Sequence, residues 1–342
     1  MNTLDKIVVI TGGGTGGHLS IAKSFINEFY KRDYKIIFIG STKGQDRAWF
    51  ESEEKLYKKY FFSTQGVVNQ KFLGKIKSLF LIIKATINSI IILKKYKVQK
   101  VISVGGFSAA AASFGAILSN TDFYIHEQNS VMGKLNKITS KKAKEVFSSY
   151  LTASKVKDYP IKQEFFNFQR VREELKTIIF LGGSQGATAI NEFAIQVAPI
   201  LKKLDISIIH QCGKKDYIKL QEQYKILDID VDLFDFSTSL LQKMTKADFA
   251  VSRSGASTLW ELTALGIPTL FVPYPYAAAN HQYYNALVLK KQNLCFIVDQ
   301  DKLTKEILEN ILNNVNLKYI SENLIKTIDK DGIKKIVDII IN

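Results

Sequence analysis

A glycine-rich turn near the amino terminus is the first place where this sequence could do chemistry. A β-branched strand over residues 6–11 leads into five glycines within six residues, at positions 12–17, and His18 opens a predicted helix. Glycine lets a ligand approach the backbone closely, and the N–H groups at a helix start attract anions. We therefore predict an anion site here, with His18 as a general base or as a donor to a phosphate. Its alternative role is a structural cap.

A second turn of this kind, GGSQGA at residues 182–187, follows another apolar strand about half a chain later. Two strand–glycine–helix units, one in each half, predict two Rossmann-like domains that face each other across a cleft. The length of 342 residues also suggests two domains. A third turn, GGFSAAAA at residues 105–112, again places small residues after a strand, where they serve either anion binding or close packing of a helix on the sheet.

Polar clusters follow three other predicted strands. They are HEQN at residues 126–129, SRSGASTLWE at 252–261 and PYPYAAANHQ at 273–282. Polar residues at the carboxyl ends of parallel strands point into the ligand crevice. In the second cluster, Glu261 lies about one turn into a helix, where its carboxylate can accept hydrogen bonds from ribose hydroxyls. The alternative is a capping box of Ser257 with Glu261, although the spacing is one residue off.

Strand and helix patterns alternate along the whole chain. Strands are predicted at residues 6–11, 35–40, 100–104, 123–126 and 145–147, and again at 177–182, 206–211, 231–234, 249–251, 268–272 and 294–298. This alternation indicates an α/β fold with parallel sheets covered on both faces. We expect one domain over residues 1–159 and a second over 160–326, joined near Pro160, and a terminal helix over 327–342 that can pack back on the first.

The net charge of +15 narrows the partners to nucleic acid, an anionic membrane surface or a phosphorylated substrate, unless a lysine-rich genome explains it. No zinc-finger or RNP-type motif is present, so we expect no nucleic acid partner. Two distant cysteines, Cys212 and Cys295, favour buried thiols in a reducing cytoplasm. Four histidines without zinc-site spacing predict no metal, and the amino terminus lacks the segments of a signal peptide.

The segment from residue 71 to 100 predicts an amphipathic helix. Seven apolar residues at helical spacing form a stripe that we expect to face the core: Ile76, Leu79, Phe80, Ile83, Ile87, Ile90 and Ile91. The opposite face carries four polar residues and, beside them, two apolar ones: Lys77, Lys84, Asn88, Lys95, Leu81 and Ile92. Exposed apolar residues next to lysines are typical of a membrane-surface patch, and an ordinary core helix is the alternative. Lys84 splits the apolar run, so we do not expect a membrane-spanning helix, whereas a break near residues 86–89 stays open.

Missing motifs exclude several enzyme classes. The sequence has no Gly-x-Ser-x-Gly elbow, no Walker Gly-Lys-Ser/Thr and no paired carboxylates of the glycosidase type. The second strand ends in Ile39-Gly40-Ser41, without the acidic residue that a dinucleotide-binding dehydrogenase places there.

Together these motifs resemble the MurG glycosyltransferases of bacterial cell-wall synthesis over nearly the whole chain. The matching stretches, in order, are GGTGGH at residues 13–18, GGF at 105–107, HEQN at 126–129, GGSQGA at 182–187, RSGA at 253–256 with Glu261, and PYPY at 273–276 with Asn280, His281, Gln282, Asn285 and Ala286. The resemblance implies a GT-B fold, in which the amino-terminal domain holds the acceptor lipid and the carboxy-terminal domain holds the nucleotide sugar. It implies no cofactor.

The resemblance also implies roles for individual residues. Contacts to UDP-GlcNAc are implied for Thr15, Gly16, Gly17, Asn129, Lys162, Ser184, Ser237, Ala256, Ser257, Thr258, Glu261 and Gln282. The acceptor pyrophosphate is implied to face Gly14, His18, Gly105 and Gly106, with Thr15, Gly16 and Gly17 also on that side. Among the donor contacts, Ser184 meets the phosphates and Glu261 the ribose, Asn129 and Gln282 meet the sugar ring, and the backbone near Ser237 reads the uracil edge.

This chain departs from the family pattern at three places. At the domain linker the family often has Asn-Pro-Val-Arg, where this chain reads Tyr-Pro-Ile-Lys at residues 159–162. Lys162 therefore keeps the charge of the arginine but loses its planar fork. The third turn is richer in alanine than usual, and Ala279 stands where many relatives carry an acidic residue.

The implied reaction is inverting transfer of GlcNAc from UDP-GlcNAc to the 4-hydroxyl of N-acetylmuramic acid in lipid I, the undecaprenyl-pyrophosphoryl pentapeptide acceptor, which gives lipid II. His18 is the first candidate for the base that takes the hydroxyl proton, and Glu127 is the second. Such an enzyme lies peripherally on the cytoplasmic face of an anionic membrane. The alternatives are another GT-B enzyme, such as a diglyceride glycosyltransferase or a UDP-GlcNAc epimerase, against which HEQN argues, and a non-catalytic nucleotide-sugar binder.

Overall fold

The computed structural model describes residues 6–66, 72–183, 186–237 and 239–342, except for the side chains of residues 72 and 73. The chain divides into two units by its internal contacts. Unit 1 comprises Met1–Ile161 and Lys330–Asn342, and unit 2 comprises Lys162–Asp329.

Unit 1 is built on a parallel sheet of six strands. Its elements are β1 (Ile7–Thr11), α1 (Gly16–Tyr30), β2 (Lys35–Ser41), α2 (Asp46–Phe50), β3 (Lys58–Phe62), α3 (Phe72–Lys95), β4 (Lys100–Ser103), α4 (Ala110–Leu118), β5 (Asp122–His126), α5 (Lys134–Thr139) and β6 (Glu145–Phe147). Buried β-branched and aromatic side chains of the strands, such as Val9, Ile37 and Phe123, pack against Ala112 and Ala116 of α4. Successive residues of β1, β2 and β5 are nearly all buried, so both faces of the sheet are covered, as a parallel sheet requires.

Unit 2 repeats this plan. Its elements are α6 (Gln163–Asn167), β7 (Thr177–Leu181), α7 (Thr188–Lys203), β8 (Ser207–Gln211), α8 (Tyr217–Ile226), β9 (Asp232–Phe234), α9 (Leu240–Lys246), β10 (Phe249–Ser252), α10 (Ala256–Leu265), β11 (Thr269–Phe271), α11 (His281–Lys290), β12 (Phe296–Ile297), α12 (Lys305–Asn314) and α13 (Leu317–Thr327). The core centres on buried residues of β7, β10 and α7, including Phe180, Phe249 and Phe193.

The two sheets share one strand order. It is β3-β2-β1-β4-β5-β6 in unit 1 and β12-β11-β10-β7-β8-β9 in unit 2, which is the same order read from the other edge. The order reverses between β1 and β4, and again between β7 and β10; ligands bind at such switch points in open α/β sheets. The predicted fold class is confirmed, and every predicted strand is present. Within the described residues, β3 is the strand that the sequence did not predict.

Helix α3 turns the face that we expected to be buried toward solvent, so that prediction was wrong. The stripe residues Ile76, Leu79, Phe80, Ile83, Ile87 and Ile91 are 51–66% exposed. In contrast, Ile92, which we expected to be exposed beside the lysines, is buried, and Leu81 is partly buried. The helix also runs from Phe72 to Lys95 without the break that was left open near residues 86–89.

The buried face of α3 consists mainly of small side chains. Ser78, Ala85 and Ser89 are buried where α3 packs against α4. A Cβ added to Gly115 of α4 would lie 3.0 Å from the Cβ of Ser89, so the two helices are in close contact. Small residues on both helices permit this approach, whereas the branched side chains of the stripe would hold the helices apart.

The chain returns to unit 1 at its carboxyl end. Helix α14 (Gly332–Ile341) packs on α1 through its buried residues Ile336, Val337 and Ile340. At the edge of this contact Arg32 donates to Glu28 and to Asp338.

Candidate functional site

The first glycine turn is held backbone to backbone against the turn that follows β4. The N–H of Gly13 donates to the carbonyl oxygen of Gly105 at 3.1 Å. Gly106 has a φ of +79°, and a Cβ added there would lie 2.1 Å from the carbonyl oxygen of Gly13. Only glycine fits at this position, because a side chain would require both a left-handed backbone and a displaced neighbour. The two turns therefore form one rigid surface at the switch point of unit 1.

A buried carboxylate that the sequence analysis missed fixes the same turn. Asp46 accepts hydrogen bonds from the N–H of Gly14 (2.6 Å) and from the N–H of Ser41 (2.9 Å). Burial raises the pKa of this carboxyl, and the N–H donors oppose the rise. Because the N–H of Gly14 is committed to Asp46, the N–H groups of the first turn of α1, at Gly16 and beyond, are the ones that a ligand can meet.

His18 lies between two polar side chains. Its Nδ1 is 2.9 Å from Oγ1 of Thr15, and its Nε2 is 3.1 Å from Nε2 of Gln128. An amide nitrogen only donates, so Nε2 of His18 accepts and Nδ1 carries the proton that goes to Thr15. The Oε1 atom of Gln128 is buried and has no hydrogen-bond partner among the described residues.

Glu127 holds the turn that follows β5. Its carboxylate accepts from the N–H of Asn129 (3.0 Å), the N–H of Gly133 (3.0 Å) and Nδ2 of Asn136 (2.8 Å). Both oxygens are thus occupied, and the second base candidate has a structural role in this conformation. The neighbouring His126 is fully buried; burial, with a smaller contribution from the nearby His18, lowers its pKa to about 3, so it remains neutral.

In unit 2 the start of α10 offers backbone donors. Gly255 is the N-cap residue, and no side chain caps the helix. The N–H groups of Ala256, Ser257 and Thr258 form its first turn, where intrahelical acceptors are lacking. Because Gly255 occupies the cap position, the capping box of Ser257 with Glu261 does not form. This helix start is therefore suited to an anion.

Glu261 and Lys162 face each other next to this helix start. Burial raises the pKa of Glu261 to about 7, and the positive charge of Lys162 limits the rise. Lys162 is also the N-cap residue of α6, which packs on α10. The carboxylate thus lies about one turn inside the helix, near the positive charge of Lys162.

The side chain of Gln282 is hydrogen-bonded to the turn after β11. Its Oε1 accepts from the N–H of Tyr274 at 2.9 Å. The segment before α11 reverses through Ala279 and Asn280, both with a φ near +50° (+51° and +53°). Buried Asn285 donates through Nδ2 to the carbonyl oxygen of Ser254, which joins α11 to the turn before α10.

Two other residues, Ser184 and Ser237, were predicted to contact UDP-GlcNAc. Ser184 lies outside the described residues. The partly buried Ser237 accepts from the N–H of Ser239 at 3.0 Å and so shapes the turn after β9.

The structure brings the sequence-predicted residues together in two groups, one at each switch point. Unit 1 collects the residues from Gly14 to His18 with Gly105, Gly106 and the HEQN segment. Unit 2 collects Lys162, residues 256–261 and Gln282. Sequence reasoning did not identify Asp46 or Asn136; the available signal for Asp46 was its position just after the carboxyl end of β2.

Two family models match most of the chain. The glycosyltransferase family 28 N-terminal domain matches residues 8–148, and the glycosyltransferase family 28 C-terminal domain matches residues 177–339. These regions contain the strands of the two sheets and the site residues of both groups except Lys162, which lies between the two matched ranges.

Full-length relatives carry one name. The chain is 47% identical to the UDP-N-acetylglucosamine--N-acetylmuramyl-(pentapeptide) pyrophosphoryl-undecaprenol N-acetylglucosamine transferase of Helicobacter pylori strain P12, over 97% of this chain and 99% of that protein. It is also 47% identical to the protein of that name from Sulfurovum sp. strain NBC37-1, over 98% of each.

Solved structures agree in fold. The crystal structure of Acinetobacter baumannii MurG superposes with a TM-score of 0.78 at 26% identity, covering 97% of this chain and 98% of that one. A UDP-GlcNAc 2-epimerase from Neisseria meningitidis superposes with a TM-score of 0.65 at 14% identity, covering 98% of this chain and 99% of that one, which shows a shared fold alone.

Proposed function

The chain belongs to glycosyltransferase family 28 and to its MurG branch, and from this membership we propose that it transfers GlcNAc from UDP-GlcNAc to lipid I. The product is lipid II, a precursor of peptidoglycan. Unit 2 binds the donor and unit 1 binds the acceptor.

The observation that carries this proposal is the combination at the start of α10. The first turn of α10, whose N-cap residue Gly255 has no side chain to accept from it, suits a diphosphate, and the partly buried Glu261 one turn later suits the ribose hydroxyls. Gln282, held by the backbone of Tyr274, supplies an amide for the sugar ring. These groups thus match the diphosphate, the ribose and the sugar ring of a nucleoside diphosphate sugar.

The reaction is a single displacement. The 4-hydroxyl oxygen of N-acetylmuramic acid attacks the anomeric carbon of GlcNAc, the bond from that carbon to the diphosphate breaks, and UDP leaves with the electron pair. Preorganised N–H groups at the start of α10 stabilise the negative charge that grows on the diphosphate, and Ser184 adds a hydroxyl donor. Inversion follows, since the attack comes from the side opposite UDP.

The hydroxyl proton goes to a base in unit 1. His18 is the first candidate, because it lies at the glycine turn and its unprotonated nitrogen, Nε2, can take a proton once Gln128 no longer donates to it. Its contacts with Thr15 and Gln128 orient the ring. Glu127 is the second candidate, but it already accepts three hydrogen bonds and could act only if the turn after β5 rearranged.

A transfer assay tests the proposal. Radiolabelled UDP-GlcNAc is incubated with a lipid I analogue, and the products are scored for a labelled disaccharide and for released UDP. We expect both in equal amounts. Labelled product on a diglyceride, an epimerised sugar, or binding without UDP release would each assign the chain to one of the alternatives instead.

We further propose that unit 1 docks on an anionic bilayer through the exposed stripe of α3. Residues Gly74–Lys95 have the length and hydropathy of a membrane span, with a mean hydropathy of 1.9 in the best window. Because the small-residue face of α3 packs on α4, a lipid surface is expected to meet only the opposite face. Lysines flank the stripe at Lys75, Lys77, Lys84, Lys94 and Lys95, all of them exposed. The enzyme is thus peripheral, and the resemblance to MurG enzymes favours the cytoplasmic face of the membrane.

Vesicle sedimentation tests the docking. Phe80→Glu and Ile83→Glu are each expected to lower partitioning on anionic vesicles at least tenfold, because burial of such a side chain is worth about 1.5–3 kcal/mol. The matched control is Ile218→Glu, at an exposed residue of α8 in unit 2, which should not change partitioning. Each lysine near the surface adds about 1 kcal/mol on anionic lipid. Equal binding to anionic and neutral vesicles would contradict the proposal.

A further inference from the structure

We propose that Arg253 is a positioning residue that orients Gln282 toward the sugar of the donor, an inference that rests on the proposed function. Arg253 lies in the turn between β10 and α10 and reaches across to the turn after β11. Its Nη1 donates to the carbonyl oxygens of Val272 (3.0 Å) and Pro273 (3.1 Å). Its Nη2 donates to Oε1 of Gln300 at 2.6 Å. One guanidinium thus clamps three points of the chain beyond β11.

The clamped turn carries the contact to Gln282. The guanidinium carbon of Arg253 lies 5.5 Å from the ring centroid of Tyr274, the residue after Pro273. The N–H of Tyr274 in turn donates to Oε1 of Gln282 at 2.9 Å. With its oxygen held by the backbone, the amide of Gln282 presents its NH2 group on the other side. A rotated amide would present an acceptor instead, so the clamp decides which hydrogen bond the sugar hydroxyl meets.

The effect of the positive charge of Arg253 can be separated from the effect of its planar hydrogen-bonding geometry. The acceptors at Val272, Pro273 and Gln300 are neutral. The positive charge is therefore not neutralised by a carboxylate at these contacts. It would attract an anion bound at the start of α10. Substitution by lysine retains a positive charge but removes the planar fork that spans the three acceptors.

Calorimetry on the full chain separates the two roles. Dissociation constants for UDP and for UDP-GlcNAc are measured for the wild type, Arg253→Lys, Gln282→Ala and the double variant. For UDP-GlcNAc, we expect Arg253→Lys and Gln282→Ala each to raise the constant about tenfold, the value of one hydrogen bond to the ligand. For UDP, which lacks the sugar, both should stay within about twofold. Because the two residues act through one contact, the double variant should lose no more than either single variant.

Other outcomes would overturn the inference. If Arg253→Lys weakens UDP as much as UDP-GlcNAc, the guanidinium binds the phosphates directly. If the losses of the two single variants multiply in the double variant, Arg253 does not act through Gln282.

A milder variant keeps the test valid should Arg253→Lys fail to fold. Gln300→Ala removes one of the three acceptors and leaves Arg253 in place, and we expect a two- to threefold weakening for UDP-GlcNAc with none for UDP. No weakening for UDP-GlcNAc would contradict the clamp. A wild-type chain that binds neither ligand would instead refute the proposed function.

Discussion

The two switch points share a strand order but are built from opposite charges. In unit 1, buried carboxylates hold the turns: Asp46 fixes the first glycine turn and Glu127 fixes the turn after β5. In unit 2, a basic residue has the corresponding role, because Arg253 donates hydrogen bonds to the turn after β11. The same topology therefore creates two crevices of different electrostatic character, and the residue types rather than the fold determine the ligand.

This difference supports the proposed division of the substrates. In unit 2, the diphosphate leaving group would be stabilised by the charge of Arg253 and by the N–H groups at the start of α10. In unit 1, the buried atoms Oε1 of Gln128 and Oδ1 of Asn136 have no partner among the described residues, and both are acceptors. We propose that this crevice takes the glycan of the acceptor and that the start of α1 faces its pyrophosphate.

The largest loss of activity is expected in unit 1, where His18→Ala should lower kcat. If His18 takes the proton of the acceptor hydroxyl, kcat should fall about 10²- to 10⁴-fold, the usual contribution of a general base. The KM for UDP-GlcNAc should change little, because the donor is bound by unit 2. Steady-state kinetics with a lipid I analogue measures both quantities. A parallel loss of donor affinity, measured by calorimetry, would argue against the base role and against the division of tasks between the units.

The second-largest effect is expected in unit 2, where Glu261→Ala should weaken the binding of UDP-GlcNAc. Loss of a charged acceptor for the ribose hydroxyls should raise the KM for UDP-GlcNAc about 10- to 100-fold, since hydrogen bonds to charged groups are worth about 1.5–3 kcal/mol. The KM for the lipid I analogue should remain near that of the wild type. An unchanged KM for UDP-GlcNAc would remove Glu261 from the donor site.

The pH dependence of donor binding follows from the same residue. Since burial raises the pKa of Glu261 to about 7, the carboxylate is ionised above this pH and protonated below it. Affinity for UDP-GlcNAc should therefore fall as the pH drops from 8 to 6, by up to about tenfold per pH unit. Stability should show the opposite trend, because the contribution of a carboxyl with a raised pKa is lost as the pH rises through about 7. Calorimetry on Glu261→Gln, which cannot ionise, should show a flat affinity profile.

How much the sequence predicted can be judged from particular elements. Strand positions were predictable, because β-branched runs followed by glycine or polar turns mark them in both units. The strand β3 was missed because it lies at the sheet edge, where Lys58 and Lys59 break the apolar pattern and the strand is only half buried. Its neighbour β2 is buried from Ile36 to Ser41, and its continuous apolar run identified it as a strand.

The error at α3 has a different cause. Periodicity identifies residues that share a helix face, but it does not say which face meets the core. That choice depended on α4, whose alanines and Gly115 accept only small partners such as Ala85 and Ser89. Contacts between distant positions were likewise out of reach, so neither the hold of Asp46 on Gly14 nor the approach of Lys162 to Glu261 could be read from the sequence.

A matched pair of glycines offers the finest test of the comparison. Gly106 and Gly255 follow the fourth strand of their respective sheets, β4 and β10. A Cβ at Gly106 would collide with the carbonyl oxygen of Gly13 at a φ of +79°, whereas at Gly255 it would meet no atom of the described residues within 4 Å. Protein packing thus demands the first glycine, and the space beside the second is left for a ligand.

We expect Gly106→Ala to lower the melting temperature by several degrees, since a left-handed non-glycine residue alone costs about 1–3 kcal/mol. Gly255→Ala should lower the melting temperature less, by about 2–4 °C at most, because alanine at an N-cap is less favourable than glycine by about 0.5–1 kcal/mol. It should nevertheless weaken UDP-GlcNAc about three- to tenfold, through contact of the new methyl group with the diphosphate. Thermal melts and calorimetry on the two variants provide the measurements. If Gly255→Ala binds the donor like the wild type, the open space at the start of α10 is not where the diphosphate lies.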